Sequence, residues 1–146
     1  MPQSRSSGKP CKDCAAEGLP LTRPADYPGP RCYTHHKAVK KARKERAQAQ
    51  RIERVYSITE EQYQELYRAQ DGACAICQRA TGKTKRLAVD HDHSCCSGPV
   101  SCGKCVRGLL CGSCNKGVLG HLRDDVHALW RAQDYLQNPP ARRVFS

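Results

Sequence analysis

Pairs of cysteines separated by two residues constrain this chain more than any other feature of its sequence. The 146-residue chain has eleven cysteines, and most lie in such pairs rather than at the scattered spacing of a disulfide scaffold. Only 38% of its residues are hydrophobic and 5% aromatic, which is little material for a self-sufficient core. The amino-terminal residues have no apolar run typical of a signal peptide, so we expect a reducing cytoplasm in which disulfides do not persist. The cysteines therefore predict zinc sites that hold a small fold together.

Two of these pairs predict the strongest zinc site. Zinc in structural sites takes four soft ligands in a tetrahedron, and two knuckles supply four thiolates. One ion bound by both pairs would close the long loop between them, and this would stabilise a fold that has few apolar residues to bury. The ligands of this structural zinc are predicted to be Cys74, Cys77, Cys111 and Cys114.

A second zinc knuckle is predicted near the amino terminus, with three cysteines and one histidine at ordinary ligand spacing. His36 is an adjacent competitor for the histidine position. The alternative is a flexible basic tail with incidental cysteines. The predicted ligands are Cys11, Cys14, Cys32 and His35.

A third group of cysteines falls inside the stretch that the main zinc site closes. Cys102 and Cys105 form a good knuckle, but Cys95 and Cys96 are adjacent, and neighbouring side chains diverge. The group predicts a third zinc bound by Cys95, Cys96, Cys102 and Cys105, or by only one of that adjacent pair together with the knuckle. The alternative is a loop of redox-sensitive thiols.

The charge of the chain indicates a polyanionic partner. Its 25 Lys and Arg residues against 14 Asp and Glu give a formal net charge of +11, and nucleic acid is the usual partner for such an excess. No apolar stretch approaches the length of a membrane span, so no membrane partner is expected.

Shifts in composition predict five segments. Residues 37–55 are rich in Lys, Arg, Ala, Gln and Glu without Gly or Pro, and they predict a helix that is either a solvated spacer or a phosphate-contacting surface. Its candidate DNA-binding residues are Lys40, Lys41, Arg43 and Lys44. The segments are a disordered leader (1–10), a zinc knuckle (11–36), the basic helical linker (37–55), the main domain (56–137) and a tail (138–146).

Local signals predict the elements of the main domain. Thr59 and Gln62 form a capping box that predicts the start of a helix, and Gly72 predicts its end. Apolar runs predict strands at 86–91 and 106–110, and a further helix is expected to open at Cys114-Asn115. A last helix is predicted at 124–136, with one apolar face made of Val126, Leu129, Trp130 and Leu136.

The polar string Asp90-His91-Asp92-His93 follows the first predicted strand. Side chains alternate along a strand, so the two acids would face away from the two histidines unless the strand ends there and the chain turns. Such a string alone also fits zinc ligation or a polar strand end. The flanking cysteine pairs and Asn115, directly after Cys114, favour a catalytic site.

Three runs of the sequence, 63–79, 89–93 and 106–115, closely resemble the recombination endonuclease VII family of phage HNH nucleases. The resemblance covers roughly residues 56 to 136 in order and spacing. It implies a small α+β fold, a zinc-stabilised ββα-metal (His-Me finger) nuclease domain in which a hairpin packs on a helix. It also implies DNA as the partner and a phage protein that acts in the cytoplasm of the host cell.

The resemblance implies roles for individual residues. Asp90 and Asn115 would be the protein ligands of a catalytic Mg²⁺ or Mn²⁺, and His91 the general base. His93 would contact phosphate or support the site. The basic residues Arg86, Arg107 and Lys116 are expected to bind phosphates of the cut strand, with an ordinary surface charge as the alternative for each.

Two departures from the family qualify the predicted function, a metal-dependent DNA endonuclease. The loop between the Asp-His string and the second strand is enlarged by four cysteines, and only about 30 residues follow Asn115, so the region through which the junction-resolving member dimerises is expected to be missing. A monomer or weak homodimer is therefore expected. The alternatives are a non-catalytic zinc-finger DNA-binding or regulatory protein and a Holliday-junction resolvase proper.

Overall fold

The computed structural model describes residues 9–145, so most of the predicted leader 1–10 lies outside the described residues. The fold is small and α+β, and it divides into two compact units between Arg51 and Ile52. None of the described helices is long and apolar enough to cross a membrane. The elements are α1 (Lys12–Ala16), α2 (Tyr33–Tyr56), α3 (Glu60–Ala69), β1 (Ala88–His91), β2 (Val106–Leu110), a π-helix (Ser113–Gly120), α4 (Val126–Gln137) and α5 (Ala141–Val144).

The first unit has cysteines where a larger domain would have an apolar core. Cys11, Cys14 and Cys32 are almost fully buried, with Ala25 packed against them. Pro10, directly before the first cysteine, pairs with Pro24 in an isolated β-bridge. α2 begins at Tyr33 and contains the whole of the basic stretch predicted to be helical.

The second unit opens with α3, whose predicted capping box is confirmed. The Thr59 hydroxyl accepts from the backbone N–H of Gln62 at 3.3 Å, and the Gln62 side chain accepts from the Thr59 N–H at 2.8 Å. The helix ends before Gly72, which adopts a φ of +69° that glycine tolerates without strain. Tyr63 is the buried residue of α3, and its hydroxyl donates to the Leu87 carbonyl at 2.9 Å.

β1 and β2 form an antiparallel hairpin in which Val89 lies opposite Leu109. β2 has the predicted bounds, whereas β1 begins at Ala88 because the Leu87 carbonyl is used by Tyr63. The pairing is irregular between Asp90 and His91, where β2 has an extra residue, Arg107. Such a bulge redirects side chains locally. The strand then ends at His91, as the polar string requires.

The core of the second unit lies between the hairpin, α3 and the end of α2, and it includes two cysteines. Because sulfur ligands occupy core positions, metal binding and packing are coupled in this fold. The buried residues are Ile52, Ile58, Tyr63, Cys74, Leu87, Val89, Leu109, Leu110 and Cys114.

The helices after the hairpin differ from expectation in two ways. The helix predicted to open at Cys114-Asn115 is present, but as a π-helix, which has i→i+5 hydrogen bonds and a wider turn. α4 is capped by Asp125, whose carboxylate accepts from the His127 N–H at 2.8 Å. Its apolar face is not covered: Trp130 and Leu136 are 62% and 76% exposed.

Gln70 ties the end of α3 to the second strand. Its side-chain amide donates to the carbonyls of Ala73 and Leu109, both at 2.9 Å, and its carbonyl oxygen accepts from the Leu109 N–H at 2.7 Å. A side chain at position 108 would place its Cβ 2.9 Å from the same oxygen, so any residue other than glycine would require the end of the Gln70 side chain to shift.

Replacing Gln70 should destabilise the second unit. Gln70→Ala removes the side-chain partner of the Leu109 N–H and of the Ala73 carbonyl, while the Leu109 carbonyl keeps the Ala75 N–H as a donor, and we expect the free energy of unfolding to fall by about 1–3 kcal/mol. Guanidinium unfolding of the zinc-loaded protein, followed by circular dichroism, measures the change. Glu65→Ala, at an exposed position of the same helix, is the matched control. Equal stability of the two variants would contradict the assigned role.

Candidate active site and metal centres

The central cysteine cluster lies beside the core of the second unit. Its four sulfur atoms are within 4.8 Å of one another and include Cys77 and Cys111 at 3.9 Å. Backbone N–H groups of Ala80 and Arg79 lower the pKa of Cys77 to about 6, which favours the thiolate that binds metal. The donor set fits four-coordinate zinc. The members are the predicted Cys74, Cys77, Cys111 and Cys114.

The amino-terminal cluster assembles the four predicted ligands in the first unit. The His35 Nδ1 lies 3.3 Å from the Cys11 sulfur and 3.4 Å from those of Cys14 and Cys32. Its Nε2 lies 3.1 Å from a Glu17 carboxylate oxygen, the arrangement that orients many zinc-bound histidines. The competing His36 stacks on Tyr27 instead. The geometry therefore selects His35.

The third cluster brings together all four predicted cysteines of the enlarged loop, including both members of the adjacent pair Cys95 and Cys96. Their sulfurs lie within 4.8 Å of those of Cys102 and Cys105. The reason is a tight turn at Asp92, whose carbonyl accepts from the N–H groups of both adjacent cysteines. N–H groups of Cys105 and Lys104 lower the pKa of Cys102 to about 7.

A separate cleft of about 620 Å³ opens between the end of β1 and the π-helix. It brings together Asp90, His93, Asn115 and Lys116, which come from distant parts of the sequence. Oxygen donors on one wall and a lysine nearby suit a hard cation and a phosphate. The full lining is Asp90, His93, Asn115, Lys116, Leu119, Gly120, Arg123 and Asp124.

Arg107 links two acidic side chains of this cleft. Its Nε donates to Asp90 at 2.7 Å, and a terminal nitrogen donates to Asp90 at 3.3 Å and to Asp124 at 3.1 Å. The bulge in β2 is what places this side chain over Asp90. Asp124 also lies 3.4 Å from the His93 Nδ1. Arg107 therefore orients the buried carboxylate, and its expected contact with phosphate stays a prediction.

His91 lies behind the cleft wall. It is only 6% exposed, and its ring packs 4.6 Å from that of His93, measured between centroids, with Tyr56 at its other edge. Its Nε2 is 3.2 Å from the Cys96 carbonyl oxygen and 3.3 Å from that of Gly98. Carbonyls only accept hydrogen bonds, so this nitrogen carries the proton and Nδ1 carries the lone pair.

The remaining predicted DNA-binding residues lie elsewhere. Arg86 donates to a Glu60 carboxylate oxygen at 2.8 Å, and its guanidinium lies 3.6 Å from the centre of the Tyr63 ring. It is outside the lining of the cleft, and these two contacts hold it in place. The basic residues of α2, which include Lys40 and Lys44, are exposed. Sequence reasoning missed Arg123 and Asp124 as cleft residues. The only sequence signal was that these two residues directly precede the last helix, and polar residues at that position are also typical of an ordinary helix start.

Residues 49–138 match the sequence profile of recombination endonuclease VII. The chain belongs to the recombination endonuclease VII family. The chain is 55% identical to the gene 59 protein of Mycobacterium phage D29 over 136 residues, which are 93% of the chain and 78% of that relative. For the gene 59 protein of Mycobacterium phage L5 the identity is 53% over the same shares. No solved structure matches the chain. Membership of the family indicates a DNA endonuclease.

The Arg107 and Asp90 pair predicts a measurable coupling. In a double-mutant cycle of Asp90→Asn and Arg107→Met, we expect about 1.5–3 kcal/mol of coupling in the free energy of unfolding, because the carboxylate is buried. Denaturant unfolding of the four zinc-loaded proteins measures it. The same cycle with the more exposed Asp124 should give less. A coupling for Asp90 no larger than that for Asp124 would contradict the orienting role.

Proposed function

We propose that this chain is a metal-dependent DNA endonuclease of the HNH type, which hydrolyses phosphodiester bonds with a histidine general base and one Mg²⁺ or Mn²⁺. The observation that carries the proposal is the meeting of Asp90 and Asn115 in one cleft beside Lys116. The chain order of β1, β2 and a helix that carries Asn115 supports a ββα-metal finger.

The donor atoms of the cleft fit a hard divalent ion. Asp90 and Asn115 supply oxygen ligands, and two protein ligands leave positions for phosphate and water. When bound, the ion would neutralise the charge that grows on the leaving oxygen. Thiolates are absent from the described lining, so zinc would be held in the cysteine clusters instead.

We assign the general base to His91. Because its Nε2 donates to backbone carbonyls, its Nδ1 would carry the lone pair that takes a proton from the attacking water. The ring is buried and lies 4.6 Å, between centroids, from that of His93, which lines the cleft. His93, 57% exposed in its side chain and on the cleft wall, is placed to contact the phosphate and is the second candidate for the base. Lys116 and Arg123 would bind the phosphates of the cut strand.

Cleavage assays test the function directly. The zinc-loaded protein is expected to nick supercoiled plasmid with Mg²⁺ or Mn²⁺, and His91→Ala should lower the rate by about 10²–10⁴-fold with folding and zinc content kept. His93→Ala, the matched histidine variant, should lose less. Asn115→Ala should raise the Mg²⁺ concentration needed for half-maximal cleavage. A larger loss of cleavage rate in His93→Ala than in His91→Ala would identify His93 as the general base instead.

Other outcomes of the same assays decide between the alternatives. DNA binding without cleavage under every divalent ion would support a non-catalytic zinc-finger DNA-binding protein and overturn the endonuclease. Preference for four-way junctions over linear DNA, together with a stable dimer in solution, would identify a junction resolvase. For the setting, we propose the cytoplasm of an infected host cell, since the relatives are phage proteins.

The basic face of α2 is proposed to contact DNA phosphates. The affinity of a protein for DNA falls as the salt concentration rises. In a plot of log affinity against log salt concentration, each phosphate contact adds about 0.9 to the steepness of the slope. Lys40→Gln with Lys44→Gln should therefore reduce that slope by about 1–2, measured by fluorescence anisotropy on duplex DNA. Lys83→Gln with Lys85→Gln removes the same charge from an exposed loop and is the matched control. Equal slopes for both pairs would assign the effect to net charge alone.

A further inference from the structure

The proposed general base is oriented by the enlarged cysteine loop, residues 92–105. The two carbonyls that accept from His91 Nε2 belong to Cys96 and Gly98, inside this loop. Cys96 is also a member of the third cysteine cluster. One residue thus offers a sulfur to the cluster and a backbone oxygen to the histidine.

The loop is not held in place by apolar burial. Among the described residues, no side chain from 92–105 belongs to the hydrophobic core. At its start, the Asp92 carboxylate accepts from the N–H and hydroxyl of Ser94, at 2.8 and 2.7 Å. Further along, the Ser101 N–H donates to the Val55 carbonyl at 2.7 Å, and its carbonyl accepts from the Ser57 hydroxyl at 2.9 Å. Between these anchors, the Asp92 carbonyl accepts from the Cys95 and Cys96 N–H groups at 3.3 and 3.1 Å, and the Cys96 sulfur belongs to the cluster.

The sulfur atoms of the cluster lie close enough together to share one cation. Cys95 lies 3.9 Å from Cys102 and 4.0 Å from Cys96, and Cys102 lies 3.8 Å from Cys105, all measured between sulfurs. Four thiolates this close would repel one another unless a cation lay between them. Zinc would bind all four, and its tetrahedral preference suits four sulfurs that all lie within 4.8 Å of one another.

We propose that a zinc ion bound by the third cluster fixes the Cys96 and Gly98 carbonyls against His91, so that zinc occupancy of this cluster controls the nuclease. The cysteines act as positioning residues, since they reach the reaction only through the histidine. The effect on cleavage rests on the proposed function, but the orientation of His91 does not.

This zinc is also the most accessible of the three. Cys95 and Cys102 are exposed, whereas the central cluster has two buried cysteines and the amino-terminal cluster has three. Exposed ligands give a chelator or a competing thiol direct access to the ion. The third cluster should therefore lose its metal before the other two, and with it the orientation of His91.

The test compares wild type with Cys102→Ser/Cys105→Ser in the full chain. Zinc content by mass spectrometry should fall from three ions per chain to two. The ¹⁵N spectrum of the histidines should show His91 leaving the single tautomer with its proton on Nε2. The rate of plasmid turnover should fall about 10–100-fold, with KM for DNA unchanged. Losses of this size are usual when a hydrogen-bond partner that orients a functional histidine is removed.

Cys14→Ser is the matched control, because it removes one zinc ligand from the other unit, and its His91 signal should stay that of wild type. Three zinc ions in the double variant would overturn the proposal. An unchanged His91 tautomer after loss of the third zinc would overturn it as well. If wild type does not cleave at all, the proposed function fails, while zinc content and the His91 spectrum still decide the inference.

A second measurement avoids substitutions altogether. Stepwise addition of a zinc chelator to wild type should release one ion first, with the change at His91 following that first release and the circular dichroism spectrum kept. Restoring zinc should return the tautomer. Release of the first ion without any change at His91 would contradict the proposal even if the double variant fails to fold.

Discussion

The convergence of the four cysteines of the central cluster, a ligand set that suits zinc, is the constraint on which the second unit depends. Two of these cysteines follow α3, and the other two flank the start of the π-helix, so one ion bound there would close the chain around both strands of the hairpin. Asn115 follows Cys114 directly and Asp90 lies in the hairpin, so the ligation that completes the fold also brings the two oxygen ligands to one cleft. Two sulfurs are part of the core, which makes metal binding a contribution to folding free energy rather than an addition to a finished fold.

Much of the fold could be predicted because its signals are local. The capping box before α3 and the bounds of β2 depend on neighbouring residues, and the structure has them as predicted. The π-helix could not be predicted, because apolar spacing does not separate i→i+4 from i→i+5 hydrogen bonds over so short a stretch. α4 forms as expected, yet its apolar pattern does not reveal whether a partner surface exists, and Trp130 remains exposed.

The candidate site was predictable in its ligands and less so in its long-range contacts. Cysteine spacing gave all three clusters, but the turn at Asp92 that lets adjacent cysteines share one cluster depends on backbone geometry that spacing does not contain. Arg107 was expected to bind phosphate, with a surface charge as the alternative, and its pairing with Asp90 was not predicted because the bulge at this residue arises from the pairing of two strands. Arg86 likewise pairs with Glu60, 26 residues away in the chain. Ion pairs between distant segments are set by tertiary structure, and residue type alone cannot assign them.

The contact between Gln70 and Gly108 has a consequence for how relatives are identified. Glycine at position 108 leaves room for the approach of a glutamine oxygen, and the cysteines of the central cluster form the ligand set of a metal that would close the fold. A descendant that had lost cleavage would still gain stability from these residues, whereas it would have less reason to keep His91 and Asn115. A match to a motif built on Arg-Gly-Leu-Leu and the cysteine pairs therefore indicates common ancestry and a common fold. Only the polar residues of the cleft and the histidine behind it carry information about chemistry.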